Sequence, residues 1–170
     1  MVETQRLWFR KYTIDDLEFL LKMTSNKEIM KYIGTGITWN ENETKERLNR
    51  FMSWYDSVDD IGLMVAVNKN SGEPVGHAGL VPQTIEGKQE IEIGYWIDQE
   101  YWGQGFATEA AIAWKEYGFN KLYKKRLVSI IQLGNIPSIQ VAQKNGMTFE
   151  REVDFNSKNV GLYSISRSIL

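Results

Sequence analysis

The chain has 170 residues, of which 42% are hydrophobic and 25% charged, a composition that fits one globular domain with a substantial core. Its 20 basic and 22 acidic side chains give a net charge of −2, so no global positive field indicates nucleic acid or an anionic membrane as a partner. The absence of cysteine excludes disulfides, thiolate zinc sites and a cysteine nucleophile, and we interpret the single histidine, His77, as structural because it lies in an apolar run.

No targeting segment is visible in the sequence. The opening residues mix polar and apolar side chains, and no uninterrupted apolar stretch approaches the roughly 18 residues that indicate a membrane span. We therefore expect a cytoplasmic protein.

The first predicted elements are a strand and two helices. Residues 6–12 alternate as a strand does, and Thr13 with Asp16 forms a capping box that opens a helix. A second capping box, Thr38 with Glu41, predicts a helix that reaches about residue 58. The charged face of this second helix favours a solvated helix lying on a sheet over a partner-binding helix.

Three strands are predicted next, at 61–68, 74–82 and 89–98, separated by turn residues. The third alternates, with Ile91, Ile93, Tyr95 and Ile97 on one side and Glu90, Glu92, Gly94 and Trp96 on the other.

The remaining elements follow a glycine-bearing loop. The pattern predicts a helix at 107–120, a buried strand at 125–133 and a short helix at 135–146. A terminal hairpin closes the chain, with its turn at residues 157–159. The succession indicates one mixed α/β domain.

The glycine loop between the strand at 89–98 and the helix at 107–120 carries the strongest functional signal. Gly103-Gln104-Gly105-Phe106-Ala107 aims unpaired backbone N–H groups and a helix N-terminus at one point, where an anion is favoured. We interpret the loop as a phosphate cradle, with a plain tight turn as the alternative. A P-loop would need Gly-Lys-Ser/Thr, and a dinucleotide fingerprint would need a glycine in place of Thr108.

Two segments extend this signal to a family resemblance. EIGYWIDQEYWGQGFATEA (92–110) and NIPSIQVAQKNGMTFE (135–150), in this order of elements, resemble the GNAT acetyltransferase superfamily, and within it the bacterial ribosomal-protein N-terminal acetyltransferases. The resemblance covers nearly the whole chain. It implies an α/β fold of the α+β type, with one acyltransferase domain over residues 1–170. The sheet would be mixed and mostly antiparallel, with about seven strands, about four flanking helices and splayed central strands.

The resemblance also implies acetyl-CoA as co-substrate, with no metal. The GNAT signature R/Q-x-x-G-x-G/A falls on 102–107, where Trp102 replaces the usual Arg or Gln, and the amides that follow it would hold the pyrophosphate. Trp102 and Phe106 would pack beneath or beside the cofactor. The pantetheine arm would pair with the preceding strand around Trp96 and Ile97 and form a hydrogen bond with the Asn135 side chain. The implied cofactor-binding residues are Trp96, Ile97, Gly103, Gln104, Gly105, Phe106, Ala107, Thr108 and Asn135.

The candidate catalytic residues are Glu92 and Ser138. The attacking amine must lose a proton, and Glu92 on the acyl-binding strand is the first choice as base, with Glu90 on the same face as runner-up. Many GNAT proteins use a tyrosine as acid where this chain has Ala142, and the resembled branch offers the serine of N-x-x-S, Ser138, instead. The structural alternatives are a surface-facing carboxylate and an ordinary capping serine.

We therefore predict an N-acetyltransferase that moves the acetyl group from acetyl-CoA to a primary amine by direct attack in a ternary complex. The acceptor would be a protein N-terminus or a small molecule, with Tyr32 and Trp39 as candidates for its wall. Two alternatives stay open: a CoA-binding sensor without turnover, and use of another acyl-CoA. Analogy with the branch leaves a homodimer open as well.

Overall fold

The computed structural model describes residues 2–56 and 61–167. The ends of the helix predicted to reach residue 58 and of the last strand, predicted to reach residue 170, lie outside these ranges. The elements are β1 (Leu7–Arg10), α1 (Leu17–Thr24), α2 (Lys27–Met30), α3 (Glu41–Ser53), β2 (Gly62–Asn68), β3 (Pro74–Ile85), β4 (Lys88–Ile97), α4 (Phe106–Asn120), β5 (Arg126–Gln132), α5 (Ile136–Lys144), β6 (Thr148–Phe155) and β7 (Lys158–Ser166).

All seven strands form one sheet in the order β1-β2-β3-β4-β5-β7-β6. Every neighbouring pair is antiparallel except β4 and β5, which run parallel because α4 crosses over between them. The predicted seven-stranded, mostly antiparallel mixed sheet is confirmed. The described residues form five α-helices rather than about four, because the four-residue α2 has too few positions to show a period.

The two predicted capping boxes have different outcomes. Thr13 and Asp16 form the first as predicted, at a short 3₁₀ turn before α1. The second prediction was wrong by two residues: Asn40 Oδ1 accepts from the Glu43 amide at 3.0 Å, and Glu43 Oε2 accepts from the Asn40 amide at 2.8 Å. Both spacings fit the pattern, but the reciprocal bonds form between Asn40 and Glu43, so α3 begins at Glu41, and the Trp39 amide before it donates to the Thr24 carbonyl at 2.9 Å.

The turn of the terminal hairpin also differs from the prediction of 157–159. Asn156 and Ser157 occupy it with φ values of 52° and 61°, while Lys158 already pairs with Phe155. Left-handed backbone at both central positions matches the twist of the flanking strands, and asparagine tolerates it well.

The sheet is covered on both faces. Ala110, Ala111 and Trp114 of α4 pack on one face, and Leu20, Leu48 and Phe51 from α1 and α3 pack on the other. β4 therefore lies in the middle of the molecule, with side chains directed into both layers.

His77 is fully buried in β3, as its apolar surroundings in the sequence suggested. Its Nδ1 lies 2.8 Å from the Tyr12 hydroxyl, and its ring centroid lies 4.6 Å from that of Trp96. Burial lowers the pKa of His77 to about 3, so the imidazole is neutral at physiological pH.

The described ranges lack two features that would indicate other functions. None of the helices there combines the length and the apolar character that crossing a bilayer requires. Those same residues contain no group of three or more His, Cys, Asp or Glu side chains placed to hold a metal ion.

Candidate functional site

The parting of β4 and β5 creates the site. Their parallel register consists of one pair, Glu92 with Val128, although β5 continues to pair with β7 as far as Gln132. Beyond Glu92 the two strands diverge, so the splay that the resemblance implied is present.

A cavity of about 770 Å³ fills the space between the diverging strands, a volume typical of small-molecule and cofactor sites. Its walls come from β4, β5, the glycine loop, the N-terminal turns of α4 and α5, and the segment around α2. Residues that represent these walls are Tyr32, Glu92, Tyr95, Gly105, Thr108 and Ser138.

The backbone of β4 presents polar groups to this gap. The Asp98 amide donates to the Val75 carbonyl at 2.9 Å, so the even-numbered residues of β4 direct their backbone groups toward β3. The odd-numbered carbonyls point the other way: Ile93 accepts from Ser129 Oγ at 3.0 Å, and Ile97 accepts from the Trp102 indole at 2.8 Å. An extended ligand arm would therefore pair with the backbone of Tyr95 and Ile97.

This direction changes the expectation for Trp96. Its carbonyl points at Gly76 of β3, so its backbone is not offered to the gap. Trp96 is nevertheless one of the residues that line the cavity.

The glycine loop takes the conformation expected of a phosphate cradle. Gly103 and Gly105 have φ values of 73° and 82°, a left-handed conformation that favours glycine, and Gly105 is the N-cap of α4. Within the described residues, no backbone carbonyl accepts a hydrogen bond from any amide between Gly103 and Thr108. These unpaired donors and the helix N-terminus together fit a diphosphate.

The two aromatic residues beside the loop have different positions. Trp102 is 46% exposed, and its indole holds the end of β4 to the loop. Phe106, predicted to pack beneath or beside the cofactor, lines the cavity but is only 4% exposed and belongs to the core, with the Arg6 guanidinium 4.2 Å from its ring centroid. The first helical turn directs its side chain inward, so Phe106 offers its backbone amide to the site rather than its ring.

Glu92 lies on the cavity wall at the point where the strands part. Burial raises the pKa of its carboxyl group, while hydrogen bonds from the Gln83 side chain, at 2.7 Å, and the Ile130 backbone lower it in part. A carboxylate with a raised pKa in a partly enclosed cavity is suited to accept a proton.

Glu90, the runner-up as base, is not brought to the cavity. It is 7% exposed and lies 3.2 Å from Arg126 Nε and 3.0 Å from Lys88 Nζ. The two cations satisfy this carboxylate in an ion-paired cluster outside the cavity, so Glu92 is the better placed of the two candidate bases.

The N-terminal turn of α5 brings Asn135 and Ser138 to the opposite wall. Asn135 Oδ1 caps the helix by accepting from the Ser138 amide at 3.3 Å, so it is the Nδ2 group that is available to a ligand. Ser138 Oγ has no hydrogen-bond partner within the described part of the chain. Ala142 is 1% exposed and packs in the core.

Tyr95 is a candidate site residue that sequence reasoning missed. Its hydroxyl crosses the gap from β4 and donates to the Ser138 carbonyl at 3.1 Å, and burial raises its pKa. The alternating pattern placed Tyr95 on the same side of the strand as three isoleucines, and an aromatic residue there gives no sign that its hydroxyl reaches a helix 43 positions later.

The segment after α2 closes one side of the cavity. Tyr32 lines it and lies against Gly134, and Gln132 Nε2 donates to the Gly34 carbonyl at 3.2 Å. Trp39, the other candidate for an acceptor wall, instead packs edge-on against Trp96 with ring centroids 5.9 Å apart. Trp39 therefore packs against a residue of the cavity wall and does not line the cavity itself.

Comparisons with known proteins agree with this geometry. A family model described as "Acetyltransferase (GNAT) domain" matches residues 6–148. The Bacillus subtilis (strain 168) protein YkkB is 39% identical over 122 residues, which cover 70% of this chain and 71% of YkkB.

Solved structures extend the likeness to the whole fold. An acetyltransferase (GNAT family) from Bacillus anthracis superposes with a TM-score of 0.80 at 27% identity, covering 97% of each chain. RimL, a ribosomal L7/L12 α-N-protein acetyltransferase solved with coenzyme A, gives 0.77 at 19% identity, covering 96% of this chain and 95% of RimL. At that identity the likeness to RimL shows the fold alone.

Proposed function

The chain belongs to the GNAT acetyltransferase family, whose members are acetyl-CoA-dependent N-acetyltransferases, and on this premise we propose that it acetylates a primary amine by direct attack in a ternary complex. The acceptor class we propose is a protein N-terminus or a small amine. Cysteine is absent and the single histidine is buried and neutral, which argues against a covalent acyl-enzyme.

The observation that carries the proposal is the cavity between β4 and β5. It joins the amides at 103–108, from which no described backbone carbonyl accepts a hydrogen bond, to the backbone of Tyr95 and the amide of Ile97 on β4, and it ends near Glu92. The amides suit a diphosphate, and the strand edge suits an extended amide-bearing arm. These residues fit acetyl-CoA, which supplies an activated acetyl thioester when it is bound.

Glu92 is the group we assign to deprotonation of the acceptor. An amine is mostly protonated at neutral pH and must lose that proton before it attacks. The Glu92 carboxylate accepts the proton, directly or through one water, and the Gln83 amide at 2.7 Å keeps it oriented toward the cavity.

Ser138 is the group we assign to the leaving-group side. Its Oγ hydrogen has no other acceptor within the described residues, so it is available to donate toward a developing negative charge. The Tyr95 hydroxyl holds the Ser138 carbonyl and thereby fixes the helix turn that carries Oγ.

Both assignments favour an enzyme over a CoA-binding sensor. A sensor would need the cradle and the strand edge only, whereas the walls of this cavity also include a carboxyl group of raised pKa and a hydroxyl without a partner among the described residues. A different acyl group remains a variant of the same proposal.

The test is isothermal titration with acetyl-CoA. We expect micromolar binding to the wild type and loss of binding in Gly105→Glu, because the new carboxylate would stand where the diphosphate is held. Gly72→Glu is the matched control, since Gly72 has a similar φ of 75° and open space around it but lies in the β2–β3 turn. Absence of binding to the wild type would reject the proposed function, and binding would justify a screen of amine acceptors.

A further inference from the structure

Arg6, immediately before β1, contacts the glycine loop in a way that no sequence motif predicts. Its Nη1 donates to the Gln104 carbonyl at 2.9 Å, and its guanidinium lies over the Phe106 ring at 4.2 Å. The side chain thus holds the loop on both sides of Gly105, although 98 positions separate Arg6 from Gln104.

Glu109 in the first turn of α4 holds this arginine in place. Arg6 Nε donates to Glu109 Oε2 at 2.7 Å, the Arg6 amide donates to Oε1 at 2.9 Å, and the Thr4 hydroxyl also donates to Oε1. The sequence explains Glu109 as a carboxylate that complements the helix dipole. The structure gives it three donors from the start of the chain.

We propose that Arg6, held by Glu109, is a positioning residue that keeps the amides of residues 103–108 directed at the diphosphate of CoA. By binding the Gln104 carbonyl, the guanidinium keeps that oxygen, which would repel a phosphate, on the protein side of the loop. A rotation of this peptide would exchange the carbonyl with an amide donor, so the contact selects the loop conformation that binds anions. The inference rests on the proposed function, because it assumes that the loop binds CoA.

The function of Arg6 differs from simple charge attraction. Its positive charge is neutralised by Glu109 at 2.7 Å, so the pair adds no net charge beside the cradle. The planar guanidinium bonds a carboxylate and a carbonyl in different directions while stacking on a ring, which a lysine ammonium does not reproduce. Arg6→Lys is therefore expected to behave nearly as poorly as Arg6→Met.

The experiment measures CoA affinity by isothermal titration well below the unfolding temperature of every variant. Arg6→Met is expected to bind CoA about 10-fold or more weakly, the loss typical of a hydrogen bond to a charged group. Pantetheine, which has no diphosphate, should bind the variant and the wild type equally. Arg10→Met is the matched control, because Arg10 lies nearby at the end of β1 and is likewise ion-paired, with Asp16 at 2.7 Å, away from the loop. It should lose stability but keep its CoA affinity.

A double variant separates positioning from charge repulsion. Arg6→Met leaves the Glu109 carboxylate unpaired near the cradle, and Glu109→Gln removes that charge. If positioning is the cause, Arg6→Met with Glu109→Gln stays weak, and recovery to wild-type affinity would overturn the inference. Equal losses in Arg6→Met and Arg10→Met would overturn it too. If Arg6→Met does not fold, Arg6→Lys carries the same comparison. A wild type that binds no CoA would instead reject the proposed function.

Discussion

The two edges of β4 differ, and the difference explains how the fold makes a site. Along β3 the register is continuous, from Gly76 opposite Ile97 to Ile85 opposite Lys88. Along β5 it is reduced to Glu92 opposite Val128. Buried backbone groups require partners. The closed edge of β4, along β3, therefore stabilises the protein, and the open edge, along β5, leaves donors and acceptors for a ligand.

Other contacts replace the missing ladder at the open edge. Ser129 Oγ bonds the Ile93 carbonyl, the Trp102 indole bonds the Ile97 carbonyl, and the Tyr95 hydroxyl reaches α5. These side chains hold the gap at a fixed width while leaving the backbone of Tyr95 for a ligand. The contrast shows that, where two strands diverge, side-chain hydrogen bonds take the place of the missing backbone pairing.

The largest expected effect concerns the contact between β2 and β3, the strand that pairs with the closed edge of β4. A Cβ on Gly79 would lie 1.9 Å from the Gly62 carbonyl oxygen, a backbone atom that has little room to move. We expect Gly79→Ala to lower the free energy of unfolding by about 3 kcal/mol or more. Gly94→Ala is the control, since its nearest neighbour is a Leu63 methyl group at 3.3 Å that is free to shift. Urea unfolding measures both, and equal losses would show that β2 and β3 are less closely packed than we describe.

The next effect concerns the open edge. Glu92→Gln should lower kcat about 100-fold with the best acceptor from the amine screen while leaving CoA affinity unchanged, because the carboxamide accepts no proton. Burial raises the pKa of Glu92, so in the wild type kcat should increase with pH as the carboxylate forms, over a range above the ordinary value of 4.5. In Glu92→Gln, kcat should not show this increase with pH.

Glu90→Gln is the matched control for Glu92. It breaks the pairing with Arg126 and Lys88, so it should reduce stability and leave kcat nearly unchanged. If Glu90→Gln lowered kcat and Glu92→Gln left it nearly unchanged, Glu90 would be the base.

His77 provides a smaller test of the closed edge. Its folded pKa of about 3 lies below the unfolded value of 6.5, so the unfolded chain binds a proton more readily, and stability decreases as the pH falls from 6.5 toward 3. At pH 5 this amounts to about 2 kcal/mol relative to pH 7. Urea unfolding of the wild type and His77→Gln at both pH values should show that the variant lacks most of this loss. An equal loss in both proteins would assign the acid sensitivity to other groups.

The smallest effect separates the two readings of Ser138. If Oγ assists the leaving group, Ser138→Ala should lower kcat about 10-fold without changing CoA affinity, because CoA thiol needs only modest help to depart. Steady-state kinetics and titration give the two values. Wild-type kcat in the variant would leave Ser138 as a helix-cap residue only.

Much of the fold could be predicted because its signals are local. Strand alternation, the Thr13–Asp16 capping box and the glycine loop each depend on a few consecutive residues. Local signals also fail in a definite way: Thr38 and Asn40 both begin an acceptable capping box, and the local pattern does not indicate that the Asn40 and Glu43 pair is the one that forms.

The candidate site shows where sequence reasoning ends. By itself the sequence determined the conformation of the glycine loop, since glycine favours positive φ and the first amides of a helix lack intrahelical partners, and it placed Glu90 and Glu92 on one face of a strand. Only the tertiary structure distinguished these two carboxylates, by pairing Glu90 with Arg126 and directing Glu92 into the cavity beside Gln83. It likewise brought Tyr95 to Ser138 and Arg6 to Gln104. Such contacts join residues far apart in the chain, and no local pattern encodes which distant group a side chain will reach.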